Sequence, residues 1–502
     1  MGAGPISMEG VGVLKRFVVA IVAAIGVVIP LMAGPAAASG DLNGPFKTSG
    51  RWITDAQGRV FITSGINMVY KRSPYLPSVI GFSDDDAQFL ADNGFDSVRL
   101  GLNWKAAEPQ PGVYDDAYLN GLKQTAQMLA DHGITTMLDF HQDQFNQKYN
   151  GQGFPDWATI DHGFWNWPVI GFGTDYIFNF ALKRAFDSFW FNEPGPGGVG
   201  LQERFAAMWG HVASIFADTP GLLGYDLMNE PMPGSEIFTC FFNACPKSTA
   251  GLSAAQDKAA KAIRTASPEG IVFYEPFSTS NGGFLWVITG PAPDVNNRAL
   301  SFHSYCLMAN ATKTQEGCDW SDQLGVDMAA MNARAAGSAL ILSEWGAMDD
   351  IGIINSHIDV AARNMIGQQE WAYCGCDDPT TADLQGQALV NLPSLPPTGT
   401  NVRWQKLKGL AVPHPRLVAG TPTKYGIDRG TGVFTLNYNT AKVSGGSFNQ
   451  GTSVIAVPAI NYPDGYVATV TGGVVTSADN ALELTVKANP GVSKVTVKVA
   501  PR

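Results

Sequence analysis

Short apolar runs alternate with longer stretches of helical spacing over most of this chain. Residues 61–69, 97–104, 134–141, 222–231, 270–276, 299–305, 339–346 and 369–374 are apolar runs too short for independent helices, and each predicts a buried strand. Between them, residues 84–93, 117–132, 202–218, 254–266 and 327–336 place apolar side chains on one helical face. Ser83 and Ser253 precede two of these helices as N-caps, and Gly94 and Gly133 follow the first and second helices as stops. Eight strands interleaved with helices predict an α/β fold, the (β/α)8 TIM barrel, whose chemistry collects at the C-terminal ends of the strands.

The texture changes near Pro413. From Gly420 onward Val, Thr, Gly and Asn dominate, and residues 433–438, 453–459, 466–470 and 493–499 alternate apolar with polar. That pattern predicts a small antiparallel β-sandwich at 413–502, following a barrel domain at 39–412. Without clustered Trp or Tyr to stack on sugars, its expected role is to buttress the barrel. Residues 142–200 are an insertion too long for a minimal barrel, and an excursion of this length is usually functional. They include Phe145, Tyr149, Phe154, Trp157, Phe164, Trp165, Trp167 and Phe172. The part with Gly and Pro among the aromatics reads as a loop over the active face, and 175–190 as a helix. Exposed apolar surface there would fit a partly greasy ligand.

Two glutamates stand at strand ends, Glu230 in Met228-Asn229-Glu230-Pro231 and Glu344 in Ser343-Glu344-Trp345-Gly346. A charge at the lip of a buried strand gains nothing for the core, because burying it is costly. A pair on one face of a barrel points to the acid/base and nucleophile of a retaining glycosidase, with carboxyls roughly 5–5.5 Å apart. Glu230 is expected as the acid, its pKa raised by the charge of Glu344. Arg99 and Tyr305 are the available partners for an ionised Glu344. Asn229 can donate to a sugar 2-hydroxyl, His141 and His303 can orient hydroxyls or the acid, and Trp371 can underlie the sugar ring. Two other glutamates compete. Asn192-Glu193-Pro194 repeats the tripeptide but precedes Gly195-Pro196-Gly197-Gly198 and has no strand before it, so it reads as a surface turn. Glu275 ends a strand and reads as a supporting carboxylate.

Composition narrows the class. With 45% hydrophobic and 15% charged residues the chain builds a sizeable core, and a net charge of -11 with no basic stripe excludes nucleic acid as a partner. Lys15 and Arg16 precede an apolar segment at 17–33, followed by Ala36-Ala37-Ala38. Pro30, Gly34 and Pro35 interrupt that segment, so residues 1–38 are expected to be a cleaved signal rather than an anchor. The mature protein is then secreted or associated with the cell surface. Six cysteines fit an exported chain. Cys240–Cys245 and Cys306–Cys318 are the expected disulfides, while Cys374 and Cys376 sit too close in sequence for an easy bridge. With no paired CxxC and no HExxH, no metal is expected.

Asn229-Glu230-Pro231, Ser343-Glu344-Trp345-Gly346, Arg99, His141, His303, Tyr305 and Trp371, in this order, resemble glycoside hydrolase family 5 over about residues 50–375. The segments Leu100-Gly101-Leu102-Asn103-Trp104, Glu108-Pro109-Gln110-Pro111-Gly112-Val113-Tyr114 and Asp139-Phe140-His141-Gln142-Asp143, with the aromatic insertion and the C-terminal sandwich, are similar to its endoglycoceramidase branch. The resemblance implies hydrolysis of the bond between oligosaccharide and ceramide in glycosphingolipids, with Asp143 and Lys71 contacting the glucose unit. It implies no cofactor, a monomer, and peripheral contact with a membrane surface. An endo-β-1,4-glucanase, a glucosylceramidase or a steryl glucosidase is the alternative among enzymes. The alternative outside them is a catalytically inactive glycolipid-binding surface protein.

Overall fold

Eight short runs, each flanked by an amphipathic helix, have one economical way to bury both of their faces: a closed parallel sheet ringed by helices. A computed structural model of the chain has this form and describes residues 44–240, 242, 245–281, 290–306, 316–381 and 383–502. The expected signal at 1–38 lies outside the described residues. Ahead of the barrel run three short strands, β1 (Lys47–Ser49), β2 (Trp52–Thr54) and β3 (Val60–Phe61). The barrel itself consists of β4 (Ser64–Met68), β5 (Ser97–Leu102), β6 (Thr135–Phe140), β7 (Leu222–Asp226), β8 (Ile271–Tyr274), β9 (Arg298–Ser304), β10 (Ala339–Gly346) and β11 (Gly367–Trp371). Each pairs in parallel with the next, and β11 closes on β4.

All eight expected strands are present, with instructive differences at their ends. The run 61–69 divides at Ile62, because β3 pairs outside the barrel and only β4 belongs to it. The fourth barrel strand stops at Asp226 rather than 231. Beyond it the chain stays extended through bonds to neighbours on either side, Leu227 N–H to the Phe273 carbonyl (3.1 Å) and Asn229 N–H to that of Phe140 (2.9 Å). The last strand begins and ends earlier than 369–374, since Ala372 turns away to bond Gln387.

The helices follow the sequence pattern less closely. Asp84–Asp92, Asp116–Asp131 and Leu201–Phe216 lie where periodicity put them. The first carries the expected Ser83 cap, completed by Asp86 into a capping box. Pro246–Ala266 starts earlier than 254, so Ser253 is an interior residue. Pro246 is the better start signal, since its fixed φ suits the first turn and its missing N–H costs nothing there. Cys318–Ala336 likewise begins before 327, and Ile351–Asn364 and Trp404–Leu410 were not anticipated.

After the barrel come β12 (His414–Val418), β13 (Thr421–Asp428), β14 (Val433–Asn439), β15 (Thr452–Ala456), β16 (Tyr466–Thr471), β17 (Gly473–Val475), β18 (Glu483–Ala488) and β19 (Lys494–Pro501). They form two antiparallel sheets, β13-β14-β19-β16 and β1-β2-β3-β12-β15-β18-β17. Phe434, Leu436, Tyr438, Val495, Val497 and Val499 alternate inward from one sheet to meet Ile455, Leu484 and Val486 of the other. One expectation needs correcting here: β1–β3 fall within 39–412 yet complete the C-terminal sheet. Phe46, Ile53 and Phe61 also join Met137, Leu223, Ile271, Ala299 and Ile341 in one buried cluster, closing the N-terminal end of the barrel. The opposite, C-terminal rim is left for chemistry.

All three cysteine pairs are disulfides: Cys240–Cys245, Cys306–Cys318 and also Cys374–Cys376. The last overturns the expectation that those two sit too close. Cys376 takes a left-handed φ of 51°, and the resulting turn leaves the two Cα atoms 5.1 Å apart, within disulfide range.

Candidate active site

The rim is organised around Arg99, a wholly buried guanidinium on β5. A buried cation is tolerated only if its donors are met by charge or by good acceptors, and six carboxylate or amide side chains do this, Asn67 among them at 3.2 Å from Nη1. Its Nε bonds Asp226 at 2.9 Å. Its Nη2 bonds Asp139 at 2.9 Å and both Asn229 and Glu275 at 3.0 Å, and its Nη1 bonds Glu344 at 3.0 Å. Burial opposes the charge on Arg99, but Asp139, Asp226, Glu275 and Glu344 outweigh it and raise the pKa.

Glu344 lies in β10, where pairing with β9 slips between Leu342 and Glu344, an irregularity of the kind that re-aims side chains beside active sites. Besides Arg99 it accepts a bond from the Tyr305 hydroxyl at 2.7 Å. Both partners expected for it are therefore in place. Burial is the strongest influence on Glu344 and raises its pKa; His303 and Arg99 offset part of the rise, and Glu230 adds to it.

Glu230 approaches from the far side. Its Oε1 accepts from Asn281 Nδ2 at 2.6 Å and faces His303 Nδ1 at 2.9 Å. Polar atoms of Glu230, His303 and Glu344 all lie within 4.8 Å of one another. The backbone of Glu230 has φ 43°, a left-handed conformation uncommon for a residue with a side chain. Its N–H is held by Glu275 Oε2 at 2.9 Å. Glu275 thus has the supporting place expected of it, between Arg99, His303 Nε2 (3.1 Å) and the Glu230 peptide. For His303, burial resists protonation, but Glu275 and Glu344 overcome it and lift the pKa well above the ordinary value.

A second cluster sits on β6 and its neighbours. His141 donates toward Asp139 at 2.6 Å and faces Asp143 at 3.3 Å. Burial works against its charge, yet the two aspartates raise its pKa to about 9. Lys71 reaches Asp143 at 2.8 Å, Asp378 at 3.0 Å and the Thr380 hydroxyl at 2.8 Å. Burial would raise the pKa of Asp143, but Lys71 and His141 reverse this and hold it well below the usual carboxylate range. Trp371 stacks on His141 with ring centroids 5.1 Å apart, and the Lys71 ammonium lies 4.4 Å from its ring centroid. Asn229 uses its amide oxygen on Arg99 and one amide hydrogen on the Gln142 carbonyl at 3.0 Å, leaving a second N–H.

Every residue singled out from sequence falls in one of these two adjoining clusters: Arg99, Asn229, Glu230, His303, Tyr305 and Glu344 in the first, Lys71, His141, Asp143 and Trp371 in the second. The decoy Glu193 is elsewhere, paired with Arg184 and, at 2.6 Å, with His162. Asp139, Asp226, Asn281, Asp378 and Thr380 escaped the sequence reading. Asp139 and Asp226 carried a usable signal, a carboxylate inside an otherwise apolar strand. Asn281, Asp378 and Thr380 lie in irregular segments and carried none.

Glu230, His303 and Glu344 could together ligate a cation, and they are the one such group of three among the described residues. Both His303 nitrogens already face carboxylates, so an ion would have to displace those contacts. The insertion exposes apolar surface, as do Phe238, which meets Phe178, and Phe242. Phe164, Trp165, Trp167, Ile170, Phe172, Phe178 and Phe180 are all open to solvent, Trp165 by 73%.

The sequence matches the profile "Cellulase (glycosyl hydrolase family 5)" over residues 54–377 and "Glycoside hydrolase family 5 C-terminal domain" over 413–499. It is 29% identical over 473 residues to "Endoglycoceramidase I" of Rhodococcus hoagii, covering 90% of this chain and 87% of that protein. It is 26% identical over 448 residues to "Endoglycoceramidase" of Hydra vulgaris, covering 82% and 80%. Among solved structures, endo-glycoceramidase II from Rhodococcus sp. in a ganglioside GM3 complex superposes with a TM-score of 0.71 at 26% identity, covering 90% of this chain and 99% of that one. With one profile spanning the closed eight-stranded barrel and another the domain after it, the chain belongs to glycoside hydrolase family 5.

Proposed function

We propose that this protein is a secreted retaining endoglycoceramidase that releases intact oligosaccharide from ceramide by double displacement. The observation that supports the mechanism is that, with His303 Nδ1 2.9 Å from Oε1 of Glu230 and 3.7 Å from Oε1 of Glu344, a carboxylate oxygen of each glutamate lies within 4.8 Å of one of the other. That is close to the roughly 5–5.5 Å of retaining enzymes and well short of the roughly 6.5–9.5 Å that inverting enzymes need for a water. Glu344 attacks the anomeric carbon while Glu230 protonates the departing ceramide oxygen. Water, deprotonated by Glu230, then attacks the glycosyl–enzyme ester and restores Glu344. Because Asn281 and His303 both engage Oε1 of Glu230, the transferred proton belongs on Oε2. Arg99 and Tyr305 hold the nucleophile, and the free N–H of Asn229 serves the sugar 2-hydroxyl. Lys71 and Asp143, fixed in opposite charge states, serve hydroxyls of the glucose unit.

The glycolipid reading draws on the endoglycoceramidase relatives and on the exposed aromatic insertion, a surface a polysaccharide alone would not need. Incubation with detergent-dispersed lactosylceramide or a ganglioside tests it. Intact oligosaccharide and free ceramide are the expected products; inert glycolipid with hydrolysed cellulose would make the protein an endoglucanase instead. Glu344→Gln and Glu230→Gln should each lower turnover on glycolipid by about two to four orders of magnitude, measured with purified protein. Export is tested separately by sequencing the mature N-terminus from culture medium, where a start near Ser39 is expected.

A further inference from the structure

We propose that Gln142 is a positioning residue for the acid/base Glu230, acting through the two peptide carbonyls that flank it. This rests on the retaining-glycosidase reading above. Gln142 follows His141 at the end of β6 and is fully buried. Its amide nitrogen donates to the carbonyl oxygens of both Asn229 and Glu230, each at 2.9 Å. Its amide oxygen accepts from Phe145 N–H at 3.0 Å, and its own carbonyl accepts from Asn229 Nδ2 at 3.0 Å. The polar ends of Gln142 are thus spent inside the protein rather than on substrate.

What this clamp holds is unusual. Glu230 has φ 43°, and a left-handed residue with a side chain persists only where its surroundings over-determine it. Glu275 fixes the N–H before the side chain, and Gln142 fixes the carbonyls on either side of it. Relaxation to an ordinary φ would swing the carboxyl away from Asn281 and His303. Gln142 is itself held from behind by the start of the aromatic insertion. Gly153, at φ 124°, packs so close that a Cβ there would lie 2.4 Å from Gln142 Cβ. Asp143 and Gln152 pair across the same hairpin. The segment expected to meet the lipid therefore shares a rigid joint with the group that protonates the lipid's oxygen.

A misplaced acid lowers kcat/KM only for substrates whose leaving group needs a proton, since the later base step, common to all substrates, enters kcat alone; this separates the role from a general structural one. Gln142→Met and Gln142→Asn are to be assayed on lactosylceramide, phenyl β-lactoside and 2,4-dinitrophenyl β-lactoside, with thermal unfolding measured alongside. The expected result is a loss in kcat/KM of about tenfold to hundredfold on the first two substrates and less than about threefold on the third. Equal losses on all three, no loss on any, or failure of both variants to fold would overturn the assignment. Inactivity of the unsubstituted protein on all three substrates would instead overturn the glycosidase reading itself.

Discussion

At the scale of single residues, the site is a set of charges that fix one another. On the proposed mechanism Glu344 attacks only when ionised, and its pKa is raised by burial and by Glu230. Protonation therefore removes the nucleophile as pH falls, and the acid limb of kcat/KM should lie above the ordinary glutamate value of about 4.3. Tyr305→Phe deletes a hydrogen bond to the charged form, so that limb should move to higher pH and kcat should fall about tenfold. A pH–rate profile of both proteins on an aryl lactoside checks the two shifts together; a limb that stays put in the variant would show that the hydroxyl does not tune Glu344.

Much of this was legible in the sequence, for a physical reason. Residues such as Arg99, His141 and Glu344 interrupt apolar runs, where a polar group is costly unless it has work to do. Asn281, Asp378 and Thr380 interrupt nothing. They come from irregular segments folded over the rim, and only the closed barrel brings them to Glu230 and Lys71. Pairing of Cys374 with Cys376 was illegible for a similar reason, since it depends on one left-handed residue.

At the scale of elements, the barrel strands were read from their uninterrupted apolar character, which burial on two faces demands. Their ends were harder to place because extended chain continues past the last ladder bond, as it does at Leu227 and Met228. The insertion is the element that distinguishes this barrel. Its inner aromatics, Phe145, Phe154, Phe186 and Phe189, pack together in the core with Trp104. Its outer ones, from Phe164 to Phe180, do not. Those outer side chains should matter for lipid and not for sugar. Trp165→Ser combined with Trp167→Ser is expected to raise KM for lactosylceramide by at least about tenfold, since burying even one such side chain is worth ~1.5–3 kcal/mol. An aryl lactoside should be cleaved as before. Equal effects on both substrates would place the pair in the sugar site instead.

At the scale of the whole molecule, the domain boundary read near 413 is real in texture but not in connectivity. Val60 and Ile62 belong to the same buried cluster as Val418, Phe434 and Val497. Asp96 of the barrel bonds His414 Nε2 at 2.9 Å, and Thr63 Oγ1 at 2.5 Å. The buttressing role expected of the sandwich is accordingly a shared core rather than a docked module. A protein ending at Val412 should fail to give soluble, cooperatively folded barrel, and the full chain should unfold in a single calorimetric transition. Two resolved transitions would mean that the halves hold themselves up independently.

The pairing of β3 with β12 has a consequence for how the molecule is made. Synthesis proceeds from the N-terminus, so β3 must wait with one edge open until the whole barrel has emerged. The partner of β3 arrives only after all eight barrel strands, and any rival edge met in the meantime is a route to aggregation.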